Sequence, residues 1–366
     1  MRVLILGGYG VFGKRIAAAL SHEVEISLII AGRNFSKAEA LAASLNAEAI
    51  AIDIRQGLDT LLTQIKPKLV INCCGPFQEN TFQVLDSCIR KGVHYIDLAD
   101  GRDYVARFVQ KDIEARAAGI IAFTGASTVP AISSAILESF LATGFQEIHA
   151  VDYGVTPGNR TERGLATVAA ILSYVGKPFV TRIRGQDSRI FGWQDLHRES
   201  YPEIGKCWMS NCDIPDLDIF PERYPALHTL QFYAGLELSV LHVGLWLLSW
   251  PVRWKLLRSL APYARILRKV SLCFYHFGSN NGGMHVRVEG LDIQGKPKKC
   301  VWYLIAKAGD GPQVPATPAV ILAKRIVRKE LTEPGAAPAV GVITKDMLLA
   351  EWQNLHIHEV SYDLPI

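Results

Sequence analysis

Several signatures are missing from this chain. There is no Tyr-x-x-x-Lys pair on a predicted helix and no Gly-x-Ser-x-Gly elbow, so neither the usual short-chain dehydrogenase pattern nor a serine-hydrolase nucleophile is present. The seven cysteines are scattered and odd in number, with no Cys-x-x-Cys pair and no histidine at zinc spacing. Reduced, mostly buried thiols are therefore expected, and no metal. The net charge is only +4, which gives no reason to expect nucleic acid as a partner. Met1-Arg2 runs straight into the apolar Val3-Leu4-Ile5-Leu6 without a leader pattern, so a cytoplasmic location is expected, with membrane association left open.

With 366 residues the chain exceeds one ordinary core, and 49% apolar against 20% charged residues suits a globular protein of two domains. The run 2–6 has the length of a buried parallel strand. Behind it stand Gly7, Gly8, Tyr9, Gly10, Val11, Phe12 and Gly13, then a helical stretch 14–20. Gly8, Gly10 and Gly13 fit G-x-G-x-x-G, while Gly7, Gly10 and Gly13 fit the G-x-x-G-x-x-G variant. A diphosphate approaching the backbone excludes Cβ atoms, and the helix start offers N–H groups and a positive dipole end. Strand, glycine loop and helix in that order are the context a dinucleotide site requires.

A second strand, 25–30, leads to Arg33, where an acid would read the 2′-hydroxyl of NAD. A guanidinium there suits a 2′-phosphate, so NADP is expected over NAD, with Asn34, Ser36 and Lys37 as further donors. An exposed arginine at a strand end is the plainer alternative. A third strand, 47–52, ends at Asp53, either a border of the adenine or a solvated loop acid. A fourth, 68–72, ends at Cys73, Cys74, Gly75 and Pro76, a tight turn where such sheets bind ligands.

Further on, 147–155 alternates as a strand. The loop 158–164 enters a helix, where Arg160 and Arg163 either clamp a substrate acid or are solvated. Residues 284–290 and 299–306 form a predicted hairpin, with His285 read as a satisfied sheet histidine rather than a catalytic acid. Residues 238–252 are uncharged; as a helix of ~22 Å they fall short of a ~30 Å hydrocarbon core. Trp246, Trp250 and Trp254 recur there, and Arg253, Lys255 and Arg258 follow. The segment 238–269 is expected to be helical, and either to pack in the core or to line a surface for a dimer partner, a lipid or an apolar substrate.

The glycine start, Arg33 and the run Val70-Ile71-Asn72-Cys73-Cys74-Gly75-Pro76-Phe77 resemble the saccharopine dehydrogenase family. So do His94-Tyr95-Ile96-Asp97 and the turn from Gly125 to Pro130. The resemblance covers residues 1 to about 135. It implies an α/β chain: a doubly wound Rossmann sheet (1–125), a substrate and dimerisation domain on a mixed sheet (126–314), and a C-terminal helix and tail (315–366) returning to the first domain. Thr317 would cap that helix, with Pro318 at its first position. By position and analogy, Asp97, Asp100 and Tyr153 are the catalytic candidates, and Arg102, Arg160 and Arg163 the substrate-binding ones. The expected protein is an NADP(H)-dependent homodimeric oxidoreductase. It would act on a C=N, C=O or C=C bond of a small or lipid-like substrate. A non-catalytic NADP sensor fits the same residues, though only an enzyme needs a polar cleft against the nicotinamide.

Overall fold

The computed structural model describes residues 1–77 and 81–365. The chain divides into two compact units, 1–135 with 312–348, and 136–311 with 349–366. In chain order the strands are β1 (Arg2–Leu6), β2 (Ser27–Gly32), β3 (Glu48–Ala51), β4 (Leu69–Asn72), β5 (His94–Asp97) and β6 (Ile121–Thr124). Then come β7 (Glu147–Thr156), β8 (Pro178–Ile183), β9 (Gln186–Phe191), β10 (His197–Tyr201), β11 (Gly205–Asn211) and β12 (Thr229–Leu236). β13 (Gly282–Leu291), β14 (Pro297–Ala306), β15 (Gly335–Pro338) and β16 (Ile357–Asp363) complete the set.

The first unit is a parallel sheet ordered β3-β2-β1-β4-β5-β6-β15. The order reverses between β1 and β4, so the carboxyl ends of those strands open the crevice where doubly wound sheets take ligands. Val3, Leu4, Ile5 and Leu6 are fully buried, the continuous apolar run that a strand covered on both faces requires. Burying each such side chain contributes about 1.5–3 kcal/mol. The helix Thr317–Val327 lies in this unit with its inner face buried. Its N-cap is Ala316 rather than Thr317, whose hydroxyl donates instead to the Gln313 carbonyl at 2.9 Å. Residues 349–366, expected with the first domain, belong to the second. There β16 extends the sheet by antiparallel pairing with β14.

The second unit is a mixed sheet ordered β10-β11-β12-β7-β13-β14-β16, with only the β12–β7 pair parallel. It curls strongly. Tyr201 on the edge strand β10 hydrogen-bonds His285 on β13, four places along, at 2.8 Å. His285 is fully buried, with its other nitrogen 3.1 Å from Asp152. It is thus held on both sides, as a satisfied sheet histidine would be.

The segment 238–269 is not one helix. Ser239–Arg253 is helical, Lys255 takes a left-handed conformation (φ 63°), and the Pro251 carbonyl accepts the Leu256 and Leu257 N–H groups. A second helix, Ala264–Cys273, follows. Among the described residues no helix is long and apolar enough to cross a membrane.

The first of these helices is fastened to the sheet by His242. Its Nδ1 accepts the Leu236 N–H at 3.2 Å, so its Nε2 carries the proton towards Ser210 Oγ at 2.9 Å. Burial pulls the pKa of His242 down to about 4, from 6.5. The unfolded chain therefore binds this proton first as pH falls, and stability declines between roughly pH 6.5 and 4. Urea midpoints measured across that window should show a pH slope that His242→Gln reduces; an equal slope in both proteins would contradict the assignment.

Candidate functional site

The switch point is built from three strand ends. After β1, Gly7 sits at φ 71°, and a Cβ on it would meet Cys74 Sγ at 3.1 Å and the Cys73 carbonyl at 3.2 Å. The loop thus lies directly on the β4 turn. A Cβ at Gly8 would strike Ile30 and Ile5, and one at Gly13 would strike the Gly7 carbonyl at 2.4 Å. These two glycines close the strand–helix packing. At Gly10 only the Gly7 carbonyl lies near, at 3.0 Å, which leaves the other side of this residue open. Phe12 precedes the helix Gly13–Leu20, whose start has no side-chain cap and no acid in its first turn. Of its first N–H groups, Lys14 donates to the Gly10 carbonyl at 3.1 Å, and Arg15 and Ile16 donate to the Phe12 carbonyl at 3.0 Å, so the helix presents the loop chiefly with the positive end of its dipole. Val11 completes the loop, and its carbonyl accepts a hydrogen bond from Arg15.

Tyr9 bridges the loop to β2. Its ring covers Gly32, where a Cβ would come within 2.5 Å, and its hydroxyl accepts the Asn34 N–H at 3.0 Å. The Asn34 carboxamide oxygen caps the next helix through the Lys37 N–H at 3.0 Å. Asn34 and Lys37 therefore meet each other through the cap. Arg33 stands exposed beside them. Its charge reaches both Asp53 and Cys74.

Asp53 is not a lone acid. Arg55, which sequence reasoning passed over, holds both its oxygens at 3.0 and 2.6 Å, and this pairing lowers the carboxyl pKa to about 2. An Asp-x-Arg spacing at a strand end was the available signal. Burial pushes the Cys74 thiol up to about 11, against the opposing pull of Arg33. Burial also raises Cys73, so neither cysteine supplies a thiolate near neutral pH. The turn continues through Gly75 and Pro76.

Asp97 is fully buried at the end of β5. Its Oδ1 accepts Thr124 Oγ1 at 2.7 Å and the Gly125 and Ala99 N–H groups at 3.0 Å. Its Oδ2 accepts the Tyr95 and Tyr104 hydroxyls at 3.0 and 3.2 Å. Asn72 donates to the Tyr95 oxygen at 3.1 Å and accepts the Cys74 N–H at 3.1 Å. One hydrogen-bond chain thus runs from β4 across β5 to β6. Burial raises the pKa of Asp97, and these donors oppose the rise. Gly125 (φ 70°) lies against the ring of Pro130, 2.5 Å from a would-be Cβ. A carboxylate so enclosed fastens loops; the catalytic expectation for Asp97 is replaced by a positioning one. Asp100 and Arg102, at the start of the helix Arg102–Phe108, are partly exposed.

The other expected residues lie in the second unit. Tyr153 is fully buried, donates to Asp216 at 3.0 Å and packs edge-on against Phe232. It is a core residue, so the catalytic expectation fails there. Arg160 donates to the His276 and Tyr275 carbonyls, and Arg163 to the Gly158 carbonyl, with burial lowering the Arg163 pKa. Glu237 accepts the Asn159 and Ser279 N–H groups beside them. Both arginines pin loop 157–164, and neither is free to clamp a substrate acid. Among the described residues no cluster of His, Cys, Asp or Glu could hold a metal.

Residues 3–123 match the saccharopine dehydrogenase NADP binding domain family. No curated protein matches the chain. Among solved structures, saccharopine dehydrogenase (L-Glu forming) from Saccharomyces cerevisiae is similar over 99% of this chain and 99% of its own, at 13% identity and a TM-score of 0.68. Homospermidine synthase from Legionella pneumophila, solved in complex with NAD, is similar over 99% and 91%, at 10% identity and a TM-score of 0.61. At these identities the two likenesses establish the fold.

If Asp97 fastens the sheet edge, Asp97→Ala should destabilise the protein by about 3 kcal/mol or more, since several buried donors lose a charged acceptor. Chemical denaturation measures this. A variant of undiminished stability would return Asp97 to the list of proton donors.

Proposed function

We propose, from the match of residues 3–123 to the saccharopine dehydrogenase NADP binding domain family, that this chain is an NADP(H)-dependent oxidoreductase of the saccharopine dehydrogenase-like type acting on a C=N, C=O or C=C bond. The observation that carries this reading is the open Gly10 position beside an uncapped helix start, with Arg33 at the end of the neighbouring strand. The nicotinamide, when bound, supplies a hydride donor or acceptor. Everything else falls to the protein. The loop Gly7–Gly13 and the positive dipole end of its helix hold the diphosphate. Arg33 offers a planar, permanently charged fork to a 2′-phosphate, with the Asp53–Arg55 pair beside it. The turn Cys73–Pro76, fixed through Asn72, borders the ring end. The partly exposed Asp100 is the proposed proton donor or acceptor, and Arg102 the proposed substrate contact.

Fluorescence titration should find NADPH bound more tightly than NADH. Arg33→Ala should weaken NADPH by about 1.5–3 kcal/mol, the value of a hydrogen bond to a charged group, and spare NADH. Equal affinities, or tighter NADH, would refute the NADP assignment. Gly10→Val places a side chain in the space kept for the diphosphate. It should abolish binding of both nucleotides while leaving the thermal unfolding midpoint near that of the parent. Normal binding by this variant would make the loop a structural turn.

A further inference from the structure

Large apolar side chains are exposed unevenly. Of the nineteen among the described residues, eleven lie between Val240 and Phe277, about a tenth of the chain. Phe277 is 77% exposed, Leu256 74%, Trp254 64% and Ile266 61%. Single exposed hydrophobics need no explanation, but their concentration in one short stretch of chain points to an interaction surface. Trp246 and Trp250, the first two members of the tryptophan row, are largely buried and pack edge-to-face at 5.8 Å. Arg253 lies over the Phe191 and Trp250 rings and donates to Gln194. These three residues are therefore structural, and the outward-facing residues include Leu247, Trp254, Leu256, Ile266, Val270 and Phe277.

The charge on the same surface has one sign. No Asp or Glu occurs between Glu237 and Glu289, and Glu237 is occupied by backbone N–H groups. Lys255, Arg258, Arg265 and Lys269 are exposed there. Apolar side chains interleaved with cations, on helices too short to span a bilayer, are the pattern of a segment lying in the headgroup region. A second copy of the chain is the poorer occupant. A two-fold interface sets the same patch against itself, which would bring two acid-free basic surfaces together.

We propose that the surface of residues 240–277 docks this protein onto an anionic lipid membrane, with Trp254, Leu256, Ile266 and Phe277 entering the interface and Lys255, Arg258, Arg265 and Lys269 meeting the headgroups. This reading does not depend on the oxidoreductase assignment, because its residues lie outside the dinucleotide unit.

Co-sedimentation of the full chain with vesicles tests it. The protein should pellet with phosphatidylcholine–phosphatidylglycerol vesicles, weakly with phosphatidylcholine alone, and less as salt rises. Lys255→Gln with Arg258→Gln should lower the partition coefficient on anionic vesicles by about thirtyfold, each surface cation being worth ~1 kcal/mol. Trp254→Ser with Phe277→Ser should lower it by about tenfold or more on both vesicle types. The thermal unfolding midpoint and far-ultraviolet circular dichroism of the same variants serve as the control for folding and should be unchanged. Absence of pelleting, or pelleting that ignores both pairs of substitutions, overturns the proposal. So does a parent protein that sediments as a dimer which Trp254→Ser with Phe277→Ser dissociates, for the surface would then belong to a second copy.

Discussion

A single buried carboxylate governs the carboxyl edge of the first sheet. Asp97 receives five donors from β5, β6, the turns behind them and the helix Arg102–Phe108. Through Tyr95 and Asn72 its influence reaches the Cys74 N–H beside the glycine loop. Enclosing an ionisable group this completely is costly unless every lone pair is answered. The donors can answer them only if the three strand ends keep one register. The crevice between β1 and β4 thus inherits its shape from a group that never meets solvent.

Much of this edge was legible in the sequence, because the constraints there are local. A run of four fully buried residues followed by Gly7–Gly13 admits few other structures, and Arg33 falls where its strand end dictates. The hairpin of β13 and β14 was also legible in its two extended runs, whereas the mixed second sheet was implied by the family resemblance alone. What was not legible is long-range. Nothing in the vicinity of Tyr153 announces that its hydroxyl meets Asp216, or that it stands inside a core. Arg160 and Arg163 read as either anion ligands before a helix start or solvated loop charges. Their partners are carbonyls at positions 275, 276 and 158, which sequence spacing cannot supply for the first two. Arg55 was overlooked for the opposite reason: its partner Asp53 stands only two residues away, and an Asp-x-Arg spacing in a loop is easily taken for two solvated charges.

The segment after Leu238 shows where composition and geometry part. Uniform apolarity suggested one continuous helix. The left-handed Lys255 divides it in two, and this break turns Trp254 and Leu256 outward while Trp250 and Arg253 stay against the body of the unit. Composition identified an unusual surface, and only the backbone decided which members face out.

The seventh strand of the parallel sheet has a consequence for how the chain is made. β15 covers the flank of β6, yet it follows β6 in sequence by about two hundred residues, with residues 136–311 of the second unit lying between. During synthesis, at roughly 5–20 residues per second, β6 remains an open edge for on the order of ten seconds or more, with unpaired N–H and C=O groups available to any other extended chain. The nascent first unit is therefore most vulnerable to misassembly while the second is still emerging. Late arrival of a four-residue strand, rather than any weakness of the core, sets the window in which a chaperone would have most to protect.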